Sequence, residues 1–303
     1  MLLDAAAVVP HTDADGLAAG AIALRARGEP ASKAILLGRG ENPFGPRDKL
    51  PAGLLAILDQ GVRPFPGPAL FVDHHAPEAG PGKGQLVVSG FGEPFVSTSV
   101  LMRRIVPEAP AWVAAVGAAG DYGDDGLKRP ECQGVVKSHV KKLVPLINAP
   151  RRCPDGPVRD ALALLVECDS AKAALADERI ALLDESRRQY KAEFERVVRT
   201  APKYVGPVAV LRFESEFQVH PLVAQTWSRR LAPRPVLAAN AGYLPGRVNF
   251  AVRAADASID LRQLLRDALP DQAGEFAHGH PQATGGSLTV VEFESLLSAL
   301  KND

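Results

Sequence analysis

Leu70-Phe71-Val72 runs directly into Asp73-His74-His75, so an apolar stretch ends in a carboxylate and two imidazoles. Burying such groups without partners costs on the order of several kcal/mol, so partners must come from elsewhere in the chain. Three segments offer them. His11, Asp13 and Asp15 follow the apolar residues 5–9, Asp59 follows 54–58, and Asp121 follows 111–119. Clustered carboxylates repel one another unless charge is supplied between them. A pair of divalent cations bridged by a shared carboxylate would supply it. Mixed carboxylate and imidazole donors suit manganese, and also iron, cobalt or zinc. Two metals roughly 3.5–4 Å apart are the usual machinery of phosphoester hydrolysis. Singly, Asp59 and Asp121 read as turn residues and His11 as a surface histidine. The stretch His11 to Gly16 resembles the start of a calcium loop but lacks the rest of that pattern. Jointly, the four acidic segments favour a metal site.

These residues must be positioned by the elements that precede them. Apolar runs at 5–9, 34–37, 54–58 and 69–72 read as strands, and 17–26 as a helix. Continuous rather than alternating apolar runs predict strands buried on both faces, hence a largely parallel sheet covered by helices. The stretch 111–119 is expected beside them, so that all the polar groups meet beyond the C-terminal ends of the strands. Residues 131–200 read as helical. Residues 170–199 contain neither Gly nor Pro and predict one long helix joining two domains. Beyond 201, strands are expected at 207–213, 236–240, 248–252 and 288–291, with helices at 220–231, 260–269 and 292–300. Residues 42–53 and 64–68 read as loops. The predicted fold class is α/β, in three parts. A mainly parallel-sheet domain spans 1–170, a helical linker 171–202 and a smaller α/β domain 203–303, with the active site in the cleft between the domains.

Lys plus Arg equals Asp plus Glu, 35 each, so no overall basic field recruits long nucleic acid. A nucleic-acid substrate is therefore expected to be short, or held by a local patch. Three cysteines with no CxxC spacing read as ordinary thiols. The N-terminal stretch reaches polar residues by position 11, which predicts neither signal peptide nor membrane span. A cytoplasmic protein without membrane partners is expected.

The ordered set of His11, Asp13 and Asp15, then Asp59, then Asp73-His74-His75, then Asp121 resembles the four motifs of the DHH phosphoesterase superfamily. Residues 277–286, AHGHPQATGG, resemble the Gly-Gly-Gly-His motif of its associated C-terminal domain. The resemblance covers nearly the whole chain. It implies a dinuclear, usually manganese, centre. His11 and Asp13 would hold one metal, Asp15, His74 and Asp121 the other, and Asp59 would bridge. Asp73 would orient a histidine, and His75 would face substrate or support a ligand. Arg253, His278 and His280 would contact substrate phosphate, joined by backbone N–H groups near Gly279, Gly285 and Gly286. Two features depart from the usual pattern. One residue rather than three separates His11 from Asp13, and Ala277 and His278 replace the first two glycines.

The activity this implies is manganese-dependent hydrolysis of short oligonucleotides with release of mononucleotides, as in nanoRNases. Alternatives are a RecJ-like exonuclease on longer single strands, a soluble cyclic-dinucleotide phosphodiesterase and a 3′-phosphoadenosine 5′-phosphate phosphatase. An inactive scaffold of the same fold is the non-enzymatic reading, and a homodimer is compatible with all of them.

Overall fold

The computed structural model describes residues 1–45, 50–272 and 276–301. The loop expected at 42–53 therefore falls partly outside the described residues, at 46–49. The chain divides into two compact units. The first holds residues 1–151 and 155–187, and the second 152–154 and 188–303.

In the first unit, strands β1 (Ala7–Pro10), β2 (Leu55–Leu58), β3 (Ala69–Asp73) and β4 (Gln85–Ser89) form a parallel sheet in that order. The first two strands are fully buried along their length, as continuous apolar runs require. Helix α1 (Ala14–Arg27) follows β1 and is buried from Ala14 to Leu24. It packs against α2 (Thr98–Ile105), α3 (Ala111–Gly126) and α5 (Val158–Glu167), while α4 (Lys137–Ile147) packs on α3.

Several expectations change here. Residues 34–37 do not form a strand, since only Ala34 bridges Val8 after a short 3₁₀ turn at Ala31–Lys33. Strand β4 takes the sheet edge instead, and its half-exposed pattern hid it from a search for apolar runs. The stretch 111–119 is helical, the start of α3. Its alanines favour helix, and only two of its residues are β-branched. The long helix expected over 170–199 is two helices, α6 (Ala171–Ala176) and α7 (Ile180–Val197). Asp177 ends α6: its carboxylate accepts the Arg179 backbone N–H at 3.0 Å and the Arg179 guanidinium at 2.8 Å. The unit boundary falls inside α7, between Arg187 and Arg188, so residues 171–202 are shared between the units rather than forming a separate linker.

The second unit is a six-stranded mixed sheet of order β5-β6-β7-β8-β10-β9. Its strands are β5 (Lys203–Val205), β6 (Val208–Phe213), β7 (Val236–Asn240), β8 (Arg247–Arg253), β9 (Phe276–His280) and β10 (Ala283–Thr289). Helix α8 (His220–Arg230) packs on β7 and β8, α9 (Leu261–Ala268) on β9, and α10 (Val290–Ala299) on β10. Residues 290–291, expected to end a strand, open α10 instead, because Thr289 and Glu292 form a reciprocal capping box. The glycine-rich stretch 277–286 is not a simple turn. It is an antiparallel hairpin of β9 and β10 with a bulge at Gly285/Gly286.

Candidate metal centre

The ends of β1, β2 and β3 and the helices beside them gather the polar residues of the first unit. His11 extends β1, donating its N–H to Leu58 O at 2.9 Å. Asp13 caps α1 and accepts the Gly16 N–H at 3.0 Å. Gly16 is required there, since a Cβ would lie 2.4 Å from His11 O. Asp15 lies in the first turn of α1, fully buried, and its two oxygens accept the backbone N–H groups of Thr98 (2.6 Å) and Ser99 (3.0 Å). These are unpaired donors at the start of α2, where the helix dipole favours a carboxylate. A Cβ on Gly117 would sit 2.4 Å from Asp15 Oδ1, so a small residue in α3 makes room for this carboxylate.

Asp59 follows β2 with φ +61°, a left-handed conformation that few non-glycine residues adopt. Its carboxylate accepts the Thr98 hydroxyl at 2.9 Å and lies 3.6 Å from His11 Nδ1, 3.4 Å from His74 Nε2 and 3.9 Å from His75 Nδ1. His74 Nε2 is also 3.2 Å from Asp121 Oδ2, and His11 Nδ1 is 2.9 Å from Asp13 Oδ2. Among the described residues, three groups bring candidate ligand atoms within 4.8 Å of one another: His11, Asp13 and Asp59; Asp15, His74 and Asp121; and Asp59, His74 and His75. Asp59 belongs to two of them, one on the His11 side and one on the His74 side. Asp121 reaches the cluster from a helix rather than a strand end, just before α3 kinks at Gly123.

Asp73 has a different task. Its carboxylate accepts the Gly61 N–H at 2.6 Å, the His75 N–H at 2.7 Å and His75 Nδ1 at 2.9 Å. It thereby joins the two loops and sets the His75 ring, whose side chain stays 34% exposed.

Three supporting residues carry no motif signal. Tyr122 Oη lies 2.8 Å from His74 Nδ1 and 3.5 Å from Val96 O. Donating to Val96, it accepts the Nδ1 proton and leaves Nε2 of His74 turned to Asp59 and Asp121. Thr98 ties Asp59 to the helix that holds Asp15. Arg151, on a 3₁₀ turn 138 residues from Asp13, lies 3.2 Å from its carboxylate and 3.2 Å from His11 Nε2. Thr98 and Arg151 stand in no spacing pattern with the cluster, and Tyr122, although it follows Asp121, bonds to His74 48 positions away, so only the tertiary fold reveals their roles.

The electrostatics reflect this crowding. Burial and the Asp59 charge push the Asp15 carboxyl up to about 6. Burial together with Asp15, Asp59 and Asp13 holds Asp121 well above the usual carboxylate range. Burial works against protonation of His11, but the Asp13 carboxylate outweighs it and raises the imidazole to about 9. His75 is likewise raised to about 9 against its burial, by Asp73 and Asp59. Burial and neighbouring carboxylates push Tyr122 up to about 12, which keeps it a neutral phenol. A cluster that holds protons on its carboxylates and imidazoles is one short of positive charge.

In the second unit, Arg253 ends β8 and is paired in register with Ala283 and Val236. Its guanidinium donates to Val252 O (2.9 Å) and Thr284 O (3.0 Å), and burial lowers its pKa to about 10. Among the described residues no carboxylate forms an ion pair with it. The β9–β10 hairpin lies beside it: Thr284 donates its hydroxyl to His278 O at 2.7 Å, and Gly285 pairs with His278. A Cβ on Gly285 would lie 2.3 Å from Phe250 O. Ala277 is buried with φ +57°, and Gly279 has φ +103°. Gly279 and His280 are exposed, and Gly286 is partly buried after the bulge.

No family model matches the sequence, and no curated protein is significantly similar to it. Solved structures are. An exonuclease RecJ bound to manganese shares 21% identity at a TM-score of 0.63, over 97% of this chain and 88% of that one. RecJ with Mn²⁺ from Thermus thermophilus shares 22% at 0.67, over 97% of this chain but only 51% of that one. The pGpG-specific phosphodiesterase PggH from Vibrio cholerae shares 13% at 0.55, over 98% and 99%. The chain thus shares its fold with these RecJ and PggH structures, an α/β unit on a parallel sheet and a second unit on a mixed sheet.

Proposed function

We propose that this protein is a divalent-metal-dependent phosphodiesterase that releases mononucleotides from short oligonucleotides. The observation that carries the reading is the position of Asp59, shared between the His11–Asp13 side and the His74 side of one buried cluster. The donor set, carboxylate oxygens and imidazole nitrogens without thiolates, fits two such cations, manganese first among them. His11, Asp13 and Asp59 would hold one, and Asp15, His74, Asp121 and Asp59 the other. Bound there, they would offset the carboxylate charge, orient a phosphate and acidify a water.

The chain's own groups do the rest. Thr98 and the α2 backbone hold Asp59 and Asp15 in place. Asp73 keeps the His75 ring oriented, so His75 can hold or pass a proton at its outward nitrogen. Arg253, a half-buried cation held by two carbonyls, grips substrate phosphate, aided by His278, His280 and the N–H groups near Gly279, Gly285 and Gly286.

Equal numbers of acidic and basic residues favour a short substrate, and the similar pGpG-specific enzyme is named for a dinucleotide. Similarity to RecJ favours a second reading, exonuclease action on longer single strands. Manganese-dependent hydrolysis of RNA and DNA from dinucleotide to about 24-mer, with pApA, cyclic di-AMP and 3′-phosphoadenosine 5′-phosphate alongside, tests both. A rate that falls steeply beyond a few nucleotides is expected. Undiminished turnover of the longest strands selects the RecJ-like reading. No turnover of any phosphoester and no metal binding overturns both.

A further inference from the structure

Between β4 and α2 the chain makes a short turn that exposes two phenylalanines, Phe91 at 60% and Phe95 at 45%. Phe95 has φ +56°, in the left-handed region that glycine or asparagine adopts with less strain. An exposed aromatic side chain gains little from burial there, so core packing does not explain this residue type. The turn is anchored on both sides. Gly90 donates its N–H to Asp73 O at 2.9 Å, and Glu93 pairs with Arg104 of α2 at 2.9 Å. Val96, the next residue, is buried, and Ser97 and Thr98 then open α2.

Phe95 is also coupled to the candidate metal centre through rings. It lies 5.9 Å from Tyr122, centroid to centroid, with the planes 77° apart. Tyr122 lies 5.8 Å from His74, also edge to face, and bonds to its Nδ1. A solvent-facing aromatic ring on an anchored turn thus stands two rings from a residue of the cluster. A phosphate held at the centre carries its nucleoside with it. The group of matching chemistry is a flat, unpaired nucleobase, which stacks on aromatic faces whatever its sequence.

We propose that Phe95, backed by Tyr122, is the stacking platform for a nucleobase of the nucleotide whose phosphate the metal centre takes. The proposal rests on the phosphodiesterase reading and deepens it, because it makes the base, not only the phosphate, part of recognition. The platform is tested with a dinucleotide that carries 2-aminopurine on a non-hydrolysable methylenephosphonate linkage, beside the same compound with abasic sugars. Binding to the manganese-loaded protein is followed by quenching of the base fluorescence and, for both compounds, by calorimetry. Wild type should quench the base and prefer the base-bearing compound. Phe95→Asn, which suits the left-handed backbone, should lower that preference about tenfold, and Phe95→Trp should restore it.

An unchanged preference in Phe95→Asn overturns the platform. So does an equal loss of affinity for both compounds, which would place Phe95 among residues that merely position the centre. Turnover of the hydrolysable dinucleotide by wild type separates the two levels. With turnover present, an unchanged preference sinks the platform alone. With neither turnover nor binding, the phosphodiesterase reading falls and takes the platform with it.

Discussion

The two units solve opposite electrostatic problems. The first crowds Asp13, Asp15, Asp59 and Asp121 round three histidines, with Arg151 alongside. The second holds one half-buried guanidinium, Arg253, against two carbonyl oxygens. Excess negative charge calls for cations, and an arginine with no counter-charge among the described residues calls for an anion. Each unit therefore leaves a charge of its own to be balanced, negative in the first and positive in the second, and the proposed function assigns divalent metal to the one and substrate phosphate to the other. The backbone differs in parallel. The first unit places a strained residue, Asp59, where it can serve two sides of the cluster. The second places one, Ala277, in a bulged hairpin where glycine would do.

The largest test of this contrast is Asp59→Asn, which suits the same backbone but removes the shared charge. Turnover should fall on the order of 10³-fold. Calorimetric titration should show weakened manganese binding, while the metal-free fold keeps or gains thermal stability. Arg253→Ala should instead raise KM roughly 10- to 100-fold with manganese affinity retained, because a charge-assisted phosphate contact is lost. Equal loss of metal affinity in the two variants would erase the division of labour.

The pH response should also differ between the units. His11 and His75 are raised to about 9, so their contribution to metal-free stability is complete below 6.5 and is lost as pH rises through 9. Asp15, raised to about 6, acts in the same direction at lower pH, its contribution present below 3.8 and lost as pH rises through 6. Arg253, lowered to about 10, stays charged from 6.5 to 9 and should leave the second unit flat there. One tryptophan lies in each unit, Trp112 in the first and Trp227 in the second. In single-tryptophan variants, the metal-free midpoint reported by Trp112 should fall by on the order of 5 °C from pH 6.5 to 9. The Trp227 midpoint should hold, and manganese should abolish the difference. A parallel fall in both would show that the units do not titrate separately. The smallest effect is expected from Ala277→Gly, which relieves a left-handed alanine. It should raise stability in urea by about 1 kcal/mol, and a loss would mean the alanine packs better than its backbone is strained.

Much of this was legible in the residues. Strands at 7–10, 55–58 and 69–73 announce themselves as apolar runs, and the acidic residues stand directly after them. The C-terminal helices lie within a residue or two of expectation. Strand β4 was not legible, because a half-exposed edge carries a weak pattern. Nor was the helical state of 111–119, which brings Asp121 in from the side of α3. The break at Asp177 was hidden as well, since an Asp–Arg contact can end a helix without Gly or Pro.

By itself, then, the sequence determined which groups must be neutralised: carboxylates and imidazoles in ordered segments, too costly to bury alone, and an arginine and glycines near the other end. Type and order are local properties, written in side-chain chemistry and short-range periodicity. Only the tertiary structure decided that Asp59 stands between the two sides, that Asp73 turns away to orient His75, and that Tyr122, Thr98, Arg151 and Phe95 attend the cluster. Tyr122, Thr98 and Arg151 come from helices and a turn up to 140 positions away from the cluster residues they touch, and Phe95 reaches the cluster through Tyr122. Their placement follows from how α1, α2 and α3 pack over the sheet, a long-range outcome that no spacing along the chain encodes.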